Sequence, residues 1–248
     1  MTEQNSSGTY RYETHMHTSE GSACGKSSGA EMAEAYAQAG YAGIIITDHF
    51  FNGNCAVSSK LPWRERVEQF CIGYENAAAA GRELGLSVFL GWEYNYCSTE
   101  FLTCGLGKEF LLAHEDLLEW DVITYLNTVR AAGGFVSQAH PFRQRDYIQY
   151  GRLFYNYVDA VEVYNTADQD AWNDLAWRYA KANDLAMTAG SDSHHVAWPS
   201  LAGLGFPRRL DRIEDFVAAM KRREGTVLRD LPNPLVNAPA PAPAVNPS

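Results

Sequence analysis

The chain has 248 residues, of which 46% are hydrophobic, enough to bury a sizeable core as one domain. Its 20 Lys and Arg against 30 Asp and Glu give a net charge of −10 and a pI near 5.1, which argues against a nucleic-acid polymer as the main partner, because binding by counterion release needs clustered cations. Five cysteines with no CxxC pair fit a reducing, cytoplasmic setting better than a disulfide framework, and no run approaches the ~18 apolar residues of a membrane span.

Residues 1–9 read as a flexible polar N-terminus. A strand is expected at 10–17, a helix at 30–39, a strand at 43–49 and one long helix at 62–84, with Pro62 in its first turn. Strands follow at 87–95 and 100–106, a helix at 122–132, strands at 134–140 and 160–165, a helix at 169–183, a strand at 186–192 and a last helix at 212–223. Glycines after Ala39, Leu84 and Ala132 mark helix stops. The alternation of helix and strand implies right-handed parallel crossovers, hence an α/β sheet or barrel over 10–230. The proline-rich stretch 231–248 can neither continue a helix nor enter a sheet, and reads as an extended tail.

Five of the seven histidines close these strand signals, in the company of acids: His15-Met16-His17, Asp48-His49, Glu93, His140-Pro141 and Asp192-Ser193-His194. In a parallel barrel the carboxyl ends of the strands share one face, so ligands scattered from His15 to His194 converge there. Imidazole and carboxylate together suit Zn²⁺, Mn²⁺ or Fe²⁺. Strand alternation puts His15 and His17 on one face, turns Asp48 away from His49, and lets Asp192 and His194 share a face that His195 does not. His49 is thus the ligand of its pair, with Asp48 orienting a histidine from behind. Glu93 is placed to bridge two ions. Arg143 has the forked guanidinium that grips phosphate. His195 reads as a substrate contact or a rim residue, and Lys26 as an anion contact from the rim. The segment around Lys26, Gly21-Ser22-Ala23-Cys24-Gly25-Lys26-Ser27, lacks the four-residue spacing of a nucleotide phosphate loop. Long loops at 50–61 and 142–157, carrying Phe50, Phe51, Tyr147, Tyr150 and Tyr155, are candidate substrate walls.

The ordered set His-x-His, Thr-Asp-His, strand Glu, His-Pro and Ser-Asp-x-His, from about Tyr12 to Leu204, resembles the polymerase and histidinol phosphatase (PHP) family. The resemblance implies a distorted (β/α)7 TIM-like barrel carrying two or three divalent ions, Mn²⁺, Zn²⁺ or iron. It also implies hydrolysis of phosphate esters by metal-activated hydroxide. Carried over by position, His15, His17, Glu93 and Asp192 hold a first ion, Glu93 and His140 a second, and His49 and His194 a third. Trinuclear members have a further histidine shortly after the first motif. Here Glu20 is its first substitute and Cys24 the second. They also have a histidine at the end of the fourth strand, where Cys104-Gly105-Leu106-Gly107 has none and His114 follows seven residues on.

The reading that follows is a phosphoesterase for small phosphorylated metabolites, nucleotide or sugar phosphates or cyclic phosphodiesters, with Asp192, His194 and Arg143 as catalytic groups and no membrane partner. A histidinol-phosphate phosphatase is the nearest alternative, and a non-catalytic metal-binding scaffold the alternative of another class. Barrel hydrolases acting on C–N bonds commonly use a strand-end lysine, and no expected strand here ends on one.

Overall fold

Nine strands and seven α-helices lie among the described residues, 9–236, of the computed structural model. In chain order they are β1 (Tyr10–Glu13), α1 (Gly29–Gln38), β2 (Gly43–Ile46), α2 (Trp63–Phe70), α3 (Ile72–Leu84), β3 (Ser87–Tyr96), β4 (Thr99–Cys104), α4 (Lys108–Ala113), α5 (Val122–Ala131), β5 (Phe135–Gln138), β6 (Ala160–Asn165), α6 (Asp170–Ala182), β7 (Ala186–Gly190), β8 (Leu201–Phe206), α7 (Ile213–Lys221) and β9 (Thr226–Leu231).

The strands form one sheet in the order β7-β6-β5-β4-β3-β2-β1-β8-β9. β1, β2 and β3 pair in parallel, as do β5, β6 and β7, while β4 runs antiparallel to both its neighbours. The two ends of the parallel array meet beyond the named strands. Met16 and Ser193 form a parallel bridge, Asp192 N–H donates to the His15 carbonyl at 2.8 Å, and His17 N–H donates to the Ser193 carbonyl at 2.9 Å. The result is a nearly closed, distorted TIM-like barrel.

Strands buried on both faces, such as β2 (Gly-Ile-Ile-Ile) and β6, are what a barrel sheathed in helices requires. α1 and α3 cover β2, packing Met32, Ala33, Tyr36 and Ala77 on Ile44 and Ile46. An aromatic layer of Phe50, Phe70, Trp92, Tyr94 and Tyr125 fills the space between β3 and the helices α2 and α5. At the end where the parallel strands begin, α7 sets Phe216, Val217 and Met220 against Tyr12, Phe89 and Phe135 and closes the barrel floor.

Four expectations need correction. The helix expected over 62–84 is two helices that meet at Cys71. The fourth strand does not follow a parallel crossover: β3 and β4 are a hairpin joined by Cys97 and Ser98, whose φ values of 50° and 64° are those of a two-residue type I′ turn. Two further antiparallel strands, β8 and β9, follow β7, and β9 includes Leu231, so the stretch read as a tail begins inside the sheet. Asn233 is buried there and donates to the carbonyls of Val196 and Trp198. The remainder of that stretch, 237–248, and the expected flexible N-terminus up to residue 8 lie outside the described residues. Finally, Phe50 is fully buried against Phe70 and Trp92, and Phe51 packs on Trp63 and Phe70, so both belong to the core rather than to a substrate wall.

At the rim, β7 approaches β1 closely at Gly190, where an added Cβ would overlap the Cβ of His15. Gly190→Ala is therefore expected to push His15 inward or open the seam, costing about 1–3 kcal/mol by overpacking. That corresponds to a fall in Tm of several degrees for a chain of this size. Calorimetry together with metal analysis checks it, and an unchanged Tm with unchanged metal content would contradict the close approach.

Candidate metal centre

The barrel mouth gathers the strand-end residues around a single buried carboxylate. Glu93, on β3, is 1% exposed. Its Oε1 lies 3.2 Å from His15 Nε2 and 3.2 Å from His140 Nε2, and its Oε2 lies 2.7 Å from His49 Nδ1 and 3.7 Å from His17 Nε2. Asp192 closes another side, with Oδ1 3.5 Å from His15 Nε2 and 3.2 Å from His17 Nε2. The rim hydrogen bonds put these groups at one level: Glu93 N–H donates to the Asp48 carbonyl, Phe50 N–H to the Glu93 carbonyl, and Thr47 N–H to the Met16 carbonyl. Alternation holds as expected, since His15 and His17 face inward with ring centroids 5.3 Å apart while Met16 is buried on the other side in the α1–β2 core.

A layer of polar groups behind the histidines fixes their tautomers. His15 Nδ1 donates to Glu162 at 2.9 Å, which turns Nε2 toward Glu93 and Asp192. His17 Nδ1 donates to Ser22 Oγ at 3.0 Å, because that hydroxyl gives its own proton to Asp48 at 2.7 Å. Asp48 also accepts from Thr18 N–H and Thr18 Oγ1, so it orients His17 through Ser22 from behind the site. His194 Nδ1 donates to the Asp192 carbonyl at 2.8 Å. Glu162 accepts in addition from His140 N–H and Asn165 Nδ2, so one β6 carboxylate positions two histidines.

The charges follow from this packing. Burial works against ionisation of Glu93 and Asp192, yet His15, with His49 beside Glu93 and Arg143 beside Asp192, holds both carboxyls well below the usual range. Burial, with His49 alongside, pushes His17 down to about 3 and so keeps it neutral. Burial opposes a charge on His49 too, but the Glu93 carboxylate outweighs it and raises the group to about 11. Two of the positions sit in the left-handed backbone region, His140 at φ 25° and Asp192 at φ 53°. Such conformations cost about 1–3 kcal/mol each and persist where the surroundings fix them.

This donor set fits divalent ions. His15 Nε2, His17 Nε2, His49 Nδ1 and Glu93 Oε2 are buried without a hydrogen-bonded partner. Four overlapping groups have ligand atoms within 4.8 Å of one another: His15, His17 and Glu93; His15, His140 and Asp192; His49, Glu93 and Glu100; and His17, His49 and His194. Imidazole nitrogens and carboxylate oxygens converging in this way fit the coordination shell of a divalent cation.

Glu100 is the group that sequence reasoning missed. Because β4 runs antiparallel, its first residues rather than its last reach the rim. There Glu100 lies 3.5 Å from His140 Nε2 and 4.0 Å from His49 Nδ1, held by Asn95 Nδ2 at 3.0 Å. The gap sought between Gly107 and His114 is therefore at the opposite end of the barrel strand, and His114 instead bonds the Phe110 carbonyl and packs on Phe110 and Trp120. Glu20 is also placed elsewhere: its carboxylate accepts from Gly29 N–H and Asn76 Nδ2 at the start of α1 and α3. Cys24, the second substitute, lines the cleft together with His49 and His194, outside the groups of converging ligand atoms.

Arg143 is engaged by acids: Nε donates to Asp168 at 2.6 Å and Nη2 to Asp192 at 2.7 Å. It positions Asp192, whose Oδ2 also accepts from Asn165 at 3.3 Å. The Lys26 side chain is exposed while the residue's backbone N–H donates to the His194 carbonyl, and His195 packs edge-on against Trp198. Above the centre opens a cleft of about 600 Å³ walled by Asn52, Asn95, Ser98, Arg145, Tyr147 and Trp198.

A family profile described as PHP-associated matches residues 170–224, from α6 through α7, the stretch that carries Asp192 and His194. No curated protein matches the chain. Among solved structures, it resembles a two-domain protein of Bacteroides vulgatus that contains a predicted PHP-like metal-dependent phosphoesterase, with 16% identity over 89% of this chain and a TM-score of 0.67. The fold is of the PHP type. The chain spans 64% of the length of that two-domain protein. A protein of Bifidobacterium adolescentis that is predicted to be a metal-dependent phosphoesterase shares 16% identity over 74% of this chain and 87% of its own, with a TM-score of 0.53. An amidohydrolase from Chromobacterium violaceum, solved with bound sulfate and no metal, shares 15% identity over the same shares of the two chains, also with a TM-score of 0.53. The matched segment is similar to the PHP-associated profile, and the shared architecture shows the fold.

In this barrel Glu162 is fully buried and lines no part of the cleft, so its substitution separates ligand orientation from direct contact. Glu162→Gln is expected to lower metal affinity about 10–100-fold by freeing the His15 ring. Isothermal titration of the metal-free protein measures this, and an unchanged affinity would contradict the orienting role.

Proposed function

We propose that the protein is a metal-dependent phosphoesterase that hydrolyses small phosphorylated metabolites: nucleotide or sugar phosphates, including cyclic phosphodiesters that are opened and then dephosphorylated. The observation that carries this reading is Glu93, whose two oxygens meet four imidazoles at the floor of an open cleft. When bound, divalent ions there supply a Lewis acid for phosphoryl oxygens and lower the pKa of water.

The chain's own residues do the rest. Glu93 spans adjacent positions, His15, His17 and Asp192 complete one, and His140, Glu100 and His49 surround the next. Arg143 keeps Asp192 aimed inward. Three carboxylates in the mouth (Glu93, Glu100 and Asp192) are outweighed by two doubly charged ions, so the loaded centre attracts an anion on an otherwise acidic protein. Arg145 on the wall adds a cation at the entrance, and Asn52, Asn95 and Ser98 offer hydrogen bonds to hydroxyl groups, with Tyr147 and Trp198 as flat surfaces for a sugar or base. A volume of about 600 Å³ suits a metabolite and leaves little room for a polymer. Among the described residues no lysine lines the cleft, which removes the bridging group that C–N hydrolases of barrel type commonly use.

An activity screen tests the reading: phosphomonoesters, cyclic diesters, histidinol phosphate and amides, after reconstitution with Mn²⁺ or Zn²⁺. Turnover is expected on phosphate esters. Asp192→Ala is expected to reduce it by at least about 10²-fold, because one ion's electrostatic contribution is worth several kcal/mol. Full metal occupancy without turnover of any phosphate ester would favour the scaffold role, and selective amide cleavage would favour C–N chemistry.

A further inference from the structure

β1 breaks where it reaches the metal centre. Its ladder ends at Glu13, and the backbone bends at His15 before Met16 rejoins the sheet beside Ser193. Thr14 lines the barrel interior with Ile45, Thr47 and Phe135, and His15 turns inward as well, toward Glu93. Two successive residues thus face the same way, which regular alternation along a strand does not provide. Strand irregularities at barrel rims and beside active sites re-aim side chains in this manner.

The two backbone N–H groups left out of the ladder at the break, those of Thr14 and His15, both donate to Glu13 Oε1 at 2.9 Å. Ser191 N–H, just beyond β7, donates to the same oxygen at 2.9 Å. Glu13 Oε2 accepts from Ser191 Oγ and, at 2.9 Å, from Tyr36 Oη on α1, and that hydroxyl lies 2.8 Å from Ser193 Oγ. Both neighbours of Asp192 are therefore tied to Glu13, Ser191 directly and Ser193 through Tyr36. Between them Asp192 is held in the left-handed backbone region at φ 53°. Glu13 is fully buried and stands outside the groups of converging ligand atoms. Burying a carboxylate is costly unless its oxygens are satisfied, and here five donors satisfy them, all at the seam that joins β1 to β7.

We infer that Glu13 is a positioning residue of the metal centre. By gathering the N–H groups that β1 leaves unpaired it turns His15 into the mouth, and by holding Ser191 and Ser193 it fixes Asp192 against the pair His15 and His17. The spacing of these ligands, and with it the spacing of the ions at Glu93, is set at the barrel seam by a side chain that is not itself a ligand. This rests on the metal-centre reading of the site and not on turnover.

Glu13→Gln, which replaces one acceptor oxygen with a donor, tests it against Tyr41→Phe. Tyr41 packs edge-on against Tyr36 and donates to the Ala202 carbonyl at 2.7 Å, so its loss perturbs the same buried region without removing a bond to Glu13. Both variants are expected to lower Tm. Only Glu13→Gln is expected to weaken metal binding by the metal-free full chain, about 10–100-fold by isothermal titration. It is also expected to change the electron paramagnetic resonance signal of paired Mn²⁺, which reports the spacing of the two ions. Tyr36→Phe, which removes one donor to Oε2 and the link to Ser193, is expected to move both readouts in the same direction by less, and it carries the test should Glu13→Gln fail to fold. Variants of Glu13 or Tyr36 that lose stability yet keep wild-type metal affinity and the wild-type Mn²⁺ signal would overturn the assignment while leaving the metal centre intact, as would an equal loss of affinity in Tyr41→Phe. An unaltered chain that binds no metal would overturn both.

Discussion

Glu93 is an ionised carboxylate held at 1% exposure in the centre of a barrel mouth, and the rim is arranged around it. Taking such a charge out of water costs several kcal/mol even after relaxation, so it persists only among compensating groups. Four imidazoles surround it, yet most of their inward nitrogens make no hydrogen bond. Three rings of the mouth have their other nitrogen committed outward: His15 to Glu162, His17 to Ser22 and through it to Asp48, and His194 to a backbone carbonyl. The inward nitrogens thereby face one another and carboxylate oxygens, an arrangement that divalent cations fit.

The barrel makes this possible by stacking rigid elements at one height. The bridge from Met16 to Ser193 and that from His49 to Glu93 extend the sheet to the level of the ligands, so the side chains sit on hydrogen-bonded backbone rather than on free loops. The reversed hairpin of β3 and β4 has a particular consequence. It presents Glu93 near the end of one strand and Glu100 at the start of the next, so the two carboxylates flank the same histidines. Apolar packing confines this polar layer, with α7 sealing the floor and the Phe50–Trp92 layer backing the wall on which Glu93 stands.

Much of this was legible in the chain itself. Period-two alternation sorts His15 and His17 from Met16, and Asp48 from His49, because a strand end leaves few other choices. Residues whose placement depends on chain direction were not legible. Cys97 and Ser98 adopt positive φ without the glycine or asparagine that normally signals a tight hairpin, so β4 read as another parallel strand and Glu100 fell at its wrong end. Glu20 and Cys24 lie in one irregular loop, where no periodicity says which faces inward; backbone hydrogen bonds from distant residues turn the cysteine in and the acid toward α1. Glu162 was hidden in a wholly buried strand, and Arg143 offered no sign that two carboxylates already engage it.

The central claim is that Glu93 bridges ions rather than serving as a buried ion-pair partner. Anomalous diffraction from crystals grown with Zn²⁺ or Mn²⁺, collected on both sides of the metal absorption edge, tests it most directly. The account expects two peaks at Glu93, one beside His15, His17 and Asp192 and the other beside His140, Glu100 and His49. Crystals that bind the metal with no peak at Glu93, or with a single ion touching only one of its oxygens, would contradict it.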